Sequence, residues 1–176
     1  ETAPGKDAGQ QDLDISQHAP ADNPAELMVG TFLGGDYDEW TYAIAVDAVG
    51  RATVTGETIS SDFPTTPGAF DPTFNGGYQK SDAFVTRLSA DGRSLVYSTF
   101  LGGSENDLGY ALALDAAGRV TVTGSTRSSN FPTTSGAFDR TFGGGTCGTP
   151  PYTYPCSDAF VIRLNAAGSA LDYASF

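Results

Sequence analysis

Large apolar residues alternate with alanine in Tyr42-Ala43-Ile44-Ala45-Val46, and the alternation returns in Tyr110-Ala111-Leu112-Ala113-Leu114. A period of two predicts a strand, because successive side chains point to opposite faces of a sheet. With apolar residues on both sides and only alanine on one, the pattern predicts an inner strand squeezed between neighbouring sheets rather than a solvated edge. The short run and the glycines around it exclude an amphipathic helix, although alanine itself is helix-friendly. A turn at Asp47-Ala48-Val49-Gly50 leads into Arg51-Ala52-Thr53-Val54-Thr55-Gly56; its second version runs from Asp115-Ala116-Ala117-Gly118 into Arg119-Val120-Thr121-Val122-Thr123-Gly124. Val and Thr favour strand and glycine permits the tight turn, so each segment reads as a hairpin.

These hairpins belong to a longer repeat. Thr31-Phe32-Leu33-Gly34-Gly35 returns 68 residues later as Thr99-Phe100-Leu101-Gly102-Gly103. A third strand is predicted over Asp82 to Leu88, echoed by Asp158 to Leu164, and a fourth over Leu95 to Phe100, echoed by Leu171 to Phe176. Between the second and third strands runs a long Phe-Pro-Thr-Thr connection. Phe63, Phe70 and Phe74, matched by Phe131, Phe138 and Phe142, give it apolar anchors, so it is expected to be packed. Self-similarity at a fixed period is the mark of a repeat architecture. Residues 26–32 resemble the fourth strand with no repeat before them, so the pattern predicts nine strands: one N-terminal strand and two four-strand units.

The expected organisation is a flexible arm over residues 1–23, a first strand plus first blade-like repeat over 24–100, and a second repeat over 101–176. The arm is polar, offers little apolar surface to offset ordering, and contains the single histidine, His18. Glycine (22) and proline (10) are frequent enough to favour strands and turns over helices. No run approaches the apolar length needed to cross a bilayer as a helix. A net charge of −12 disfavours nucleic acid and anionic membranes and suits a soluble or cation-collecting surface.

Both cysteines fall where the second repeat carries eight extra residues, essentially Cys147 to Cys156. A disulfide closing this loop is the preferred reading, and it would imply an oxidising, extracytoplasmic setting. Two free thiols are the alternative. Two cysteines alone lack the other ligands of a metal site, and the spacing is not that of a CxxC redox motif.

The strings Thr-Phe-Leu-Gly-Gly, Thr-Val-Thr-Gly, Phe-Pro-Thr-Thr-Pro-Gly-Ala-Phe and Ser-Asp-Ala-Phe-Val-Thr-Arg-Leu, in this order, resemble the bacterial beta-propeller repeat (SBBP repeat) family over about residues 26–176. The resemblance implies an all-β, propeller-like fold of four-stranded antiparallel blades in secreted or cell-surface proteins. It is tied to no single reaction and carries no catalytic residue with it. Two repeats are too few to close a ring of four to eight blades. The chain therefore reads either as part of a longer protein or as a subunit that assembles.

Candidate chemistry is sparse. Asp36, Asp38 and Glu39 after the first Leu-Gly-Gly, and Glu105, Asn106 and Asp107 after the second, are oxygen donors spaced closely enough to suggest Ca2+, though neither run is an EF-hand; solvated turns are the alternative. Asp47 and Asp115 are expected to shape their hairpins through local hydrogen bonds. Trp40, Tyr152 and Tyr154 offer rings that suit a glycan. Paired acids raise glycoside hydrolysis, but no nucleophile elbow is present and a triad would have to borrow remote His18, so no enzyme is expected. The expected role is an extracellular structural or interaction module, a ring or filament subunit whose partners are copies of itself or another repeat-containing protein. Leu27, Val29, Phe32, Leu171, Tyr173 and Phe176 on the fourth-type strands are its assembly residues. A glycan-binding, lectin-like module is the alternative.

Overall fold

The Val/Thr segments after each Asp-x-x-Gly turn become the second strands of two antiparallel sheets, described for residues 30–176 of a computed structural model. The first sheet is a simple meander of β1 (Glu39–Val46), β2 (Ala52–Thr58), β3 (Asp82–Leu88) and β4 (Leu95–Leu101). The second repeats it with β5 (Asp107–Leu114), β6 (Val120–Thr126), β9 (Asp158–Leu164) and β10 (Leu171–Ser175). Between β6 and β9 the inserted residues form a separate hairpin, β7 (Thr146–Thr149) and β8 (Tyr152–Pro155). Among the described residues the fold is all-β.

The strand count differs from nine. The insertion, expected as a cross-linked loop, pairs as a ladder from Thr146–Pro155 to Thr149–Tyr152, and Cys147 and Cys156 are joined in a disulfide (S–S 2.04 Å). The first four residues of the expected N-terminal strand, 26–29, lie outside the described residues. Gly30 to Phe32 carry no strand, and the Phe32 side chain is fully exposed.

Local chemistry explains the turns. Asp47 Oδ1 accepts from the Val49 and Arg51 amides at 3.0 and 2.9 Å, and Asp115 Oδ1 treats Ala117 and Arg119 identically at 2.9 Å each. Gly50 and Gly118 close these turns with φ of 89° and 80°, a conformation that glycine adopts without steric cost. Each first strand also carries a bulge, between Thr41 and Ala43 and between Gly109 and Ala111. The chain opposite is glycine both times, because a Cβ on Gly56 or Gly124 would lie 1.8 Å from the carbonyl oxygen of Trp40 or Leu108.

The Phe-Pro-Thr-Thr connections are packed, as their aromatic anchors predict. Phe63 stacks on Phe84 at 4.6 Å and Phe131 on Phe160 at 4.5 Å between ring centroids. The larger core lies between the sheets. Ala83, Val85, Tyr97 and Leu101 of the first meet Val120, Val122, Ile162 and Leu164 of the second, all buried. Phe63, Phe84 and Phe100 with Val54 form a smaller cluster on the opposite side of the first sheet, joined by Leu33 and Phe74.

The predicted inner strands are edge strands of their sheets, and each is covered on one face only. In β1 the alanines are half-buried, while Ile44 and Val46 are 64% and 61% exposed. In β5 the relation reverses: Leu112 and Leu114 pack on the core and the alanines are exposed. The alternation legible in the sequence suits two covered faces. In this chain β1 has its large face open and β5 its small one.

Candidate functional site

The joint between the sheets is the most elaborated polar and apolar surface in the molecule. Its centre is Arg87 on β3, which is 1% exposed. Its Nη2 lies 3.1 Å from Asp47 Oδ2 in its own repeat, and Nη1 donates to the Gly118 carbonyl of the next at 2.8 Å. Burial alone would raise the Asp47 carboxyl, but hydrogen bonds from the backbone and guanidinium of Arg51 and from the Val49 amide outweigh it and hold the carboxyl low. At the same end, the Tyr97 ring lies against Gly168. A Cβ there would come within 2.3 Å of the ring, so only glycine allows the approach. The Gly168 carbonyl also accepts from the Phe70 amide at 2.9 Å, which draws the Phe70 side chain onto the core between the sheets.

The other end of the joint holds two carboxylates, Asp82 at the start of β3 and Asp107 at the start of β5, both without solvent exposure. They flank Gly102, where a Cβ would lie 2.5 Å from Asp82 Oδ1 and 3.0 Å from Asp107 Oδ2. Asp82 Oδ2 accepts from the Asn75 amide at 2.6 Å, whereas Asp107 Oδ2 accepts from the Gly103 amide at 2.7 Å and Ser128 Oγ at 2.8 Å. Burial pushes Asp82 up to about 7, and the nearby Asp107 and Asp71 charges add to it. Asp107 rises to about 6 for the same first reason. Around them the Asp107 amide donates to the Ser81 carbonyl (2.8 Å), and the Lys80 ammonium pairs with Glu105 (2.6 Å).

Against this geometry the expected calcium ligands are dispersed. The Asp36 amide donates to Asp62 Oδ1, the Asp38 carbonyl accepts from Ile59, and the Glu39 carboxylate accepts from the Gly35 amide and Thr58 Oγ1. Glu105 is held by Lys80, Asn106 Oδ1 accepts from the Ser81 amide, and Asp107 belongs to the buried carboxylate pair. Among the described residues no three His, Cys, Asp or Glu side chains form a group able to hold a metal ion. The glycan candidates stand on separate elements: Trp40 on β1, and Tyr152 and Tyr154 on β8, where the Arg127 guanidinium lies 4.8 Å from the Tyr154 ring centre. Of the assembly candidates, Leu27 and Val29 lie outside the described residues. Leu171 and Phe176 pack on the core, and Tyr173 is partly exposed.

The residues at the two ends of the joint, Arg87 with Gly118 and Tyr97 with Gly168 at one and Asp82 with Asp107 at the other, were not singled out by the sequence as a site. The available signal was the string Ser-Asp-Ala-Phe-Val-Thr-Arg-Leu. Its second version differs only by Ile162 in place of Thr86, so both repeats place an aspartate and an arginine at fixed points of a mostly apolar strand.

No protein-family model matches this sequence, and no curated protein matches it either. Among the described residues the fold is that of an all-β protein with two repeated, four-stranded antiparallel sheets packed face to face.

Proposed function

We propose that this chain is a structural interaction module of the propeller-blade type, secreted or displayed at a cell surface, whose work is to stack blade-like sheets. Each four-stranded sheet is one blade, and function lies in the faces rather than in a catalytic centre. One observation carries the reading: the face buried in the first sheet is open in the second. Val85 is fully buried and Val161, its counterpart, is 41% exposed; Tyr97 is 1% exposed and Tyr173 39%. An apolar sheet face is stabilised by covering it, at about 25 cal/mol per Å2 of apolar surface. The resemblance to bacterial beta-propeller repeats supports the blade assignment, and the Cys147–Cys156 disulfide suits an oxidising compartment.

Light scattering of the native protein over a range of concentrations, with electron microscopy of the same samples, tests the proposal. Rings, filaments or concentration-dependent mass are expected. A monomer of 18.2 kDa at every concentration would count against it. A second reading, glycan binding, is favoured by one observation: Tyr152 is 83% exposed on a hairpin held by a disulfide. Retention on immobilised oligosaccharides, abolished by Tyr152→Ala, is its test.

A further inference from the structure

We propose that the partner for the open faces is a second copy of this chain, joined head to tail, with the second sheet of one copy packing on the first sheet of the next as the two sheets pack within the chain. This rests on the stacking role above and names its partner.

The internal joint supplies the template. The first sheet presents Ala43, Thr55, Val85 and Tyr97 to the second. The open face of the second sheet repeats those residues without change as Ala111, Thr123, Val161 and Tyr173. On the other side of the joint, Leu112 and Leu114 are the large residues that the small face receives. Their counterparts are Ile44 and Val46, the exposed β1 part of the first sheet's other face, which retain size and apolarity beside the buried Val54, Phe84 and Phe100. One open face is small and the other large, so neither complements itself. The contact is heterologous, of the kind that yields a ring or a filament rather than a two-fold dimer.

The polar latches are repeated as well. Arg163 binds the Asp115 carboxylate as Arg87 binds Asp47, but it remains partly exposed. Gly50 has the same positive-φ turn as Gly118, the acceptor of Arg87. In the proposed joint Arg163 donates to the Gly50 carbonyl of the neighbouring copy. Phe138, fully exposed, takes the place that Phe70 holds in the internal core, with its amide directed at the neighbouring copy's Gly92 carbonyl. Asp158 and Glu39 meet as Asp82 and Asp107 do.

The copy-to-copy joint is the weaker of the two. Cys156 and Tyr37 stand where Lys80 and Glu105 pair internally, so that latch is lost. Thr41 stands where Gly109 passes close to Thr55; a Cβ at Gly109 would lie 2.4 Å from Thr55 Oγ1, so the Thr123 hydroxyl has to rotate away.

Two surface substitutions test the joint by complementation. Val161→Asp places a charge on the small open face and Ile44→Asp on the large one; both residues are exposed in the single chain, so each variant keeps the wild-type melt. Wild type is expected to gain mass with concentration in sedimentation velocity. Each variant alone is expected to associate at least about tenfold more weakly, because a charge is buried at the centre of the contact. An equimolar mixture is expected to form heterodimers and nothing larger, through the one intact face of each variant. Wild type that stays monomeric would overturn both this joint and the stacking role. Association unaffected by either substitution would overturn this joint alone, and loss in both variants without rescue on mixing would overturn the head-to-tail geometry.

Discussion

Val85 and Val161 each follow Asp-Ala-Phe on a third strand, yet one is sealed between sheets and the other faces solvent. The same contrast separates Tyr97 from Tyr173 and Arg87 from Arg163. The strand register is the same in these pairs and the residues themselves are identical, so the difference in their exposure follows what packs on the sheet. The molecule thus contains its own control. The first sheet reports what the face is worth when covered, and the second what it is worth when open.

The largest separation is expected from the tyrosines. Tyr97→Ala removes a buried ring and leaves a cavity against Gly168, costing about 3–5 kcal/mol in urea unfolding, by analogy with buried aromatic truncations. Tyr173→Ala is expected to cost well under half as much in the dilute chain; equal costs would break the comparison. Arg87→Ala comes next, at about 3 kcal/mol, because it leaves the Gly118 carbonyl without its donor and removes a buried stem. Arg163→Ala, measured in the same urea unfolding, is expected to leave the dilute protein nearly unchanged.

A third test uses pH. The pKa values of Asp82 and Asp107 are raised to about 7 and about 6. The folded state therefore holds their protons more tightly than the unfolded chain does. Their contribution is fully present below the ordinary carboxylate value and is lost as pH rises through 6 to 7. The melting temperature is expected to fall from pH 5 to pH 8. Asp115, lowered to about 2 chiefly by the Arg119 amide bond, works in the opposite sense and only at more acidic pH, so it does not disturb this window. Asp82→Asn keeps an oxygen to accept from Asn75 and removes the charge. It is expected to flatten the pH profile and add about 2–4 kcal/mol at pH 8, from the shift of roughly three units. The smallest effect is expected from reducing the Cys147–Cys156 disulfide. The bridge lies within the outlying hairpin, so the sheets should melt within a degree or two of the oxidised protein, and proteolysis should move to the hairpin.

Much of this architecture was legible in the chain. The alternation and the Asp-x-x-Gly turns placed the strands to within a few residues, and β3 and β9 match the expected bounds. Such features are local, set by side-chain period and backbone freedom. The hairpin β7–β8 was not legible because Gly148 and the Pro150–Pro151 turn read as loop, whereas cross-strand pairing beside the disulfide makes a ladder. The partners of the acids after each Leu-Gly-Gly were not legible either. Glu105 stands in a bend, Asn106 after it and Asp107 opens β5, so the three side chains reach Lys80, the Ser81 amide and the Gly103 amide in turn. Which face stays open was not legible at Val85 and Val161 themselves, because both follow the same Ser-Asp-Ala-Phe run.

That β1 and β5 share one alternation yet cover opposite faces also bears on how such a chain changes over generations. A new sheet inserted between the existing two would present a small face on one side and a large face on the other, meeting surfaces that already fit. A tandem duplication of the 68-residue unit would therefore need no new complementary surface, and a deletion would leave none unmatched. Change in the number of units is thereby separated from change in the units themselves. The extra hairpin, placed in a connection between strands, shows where individual units are free to diverge.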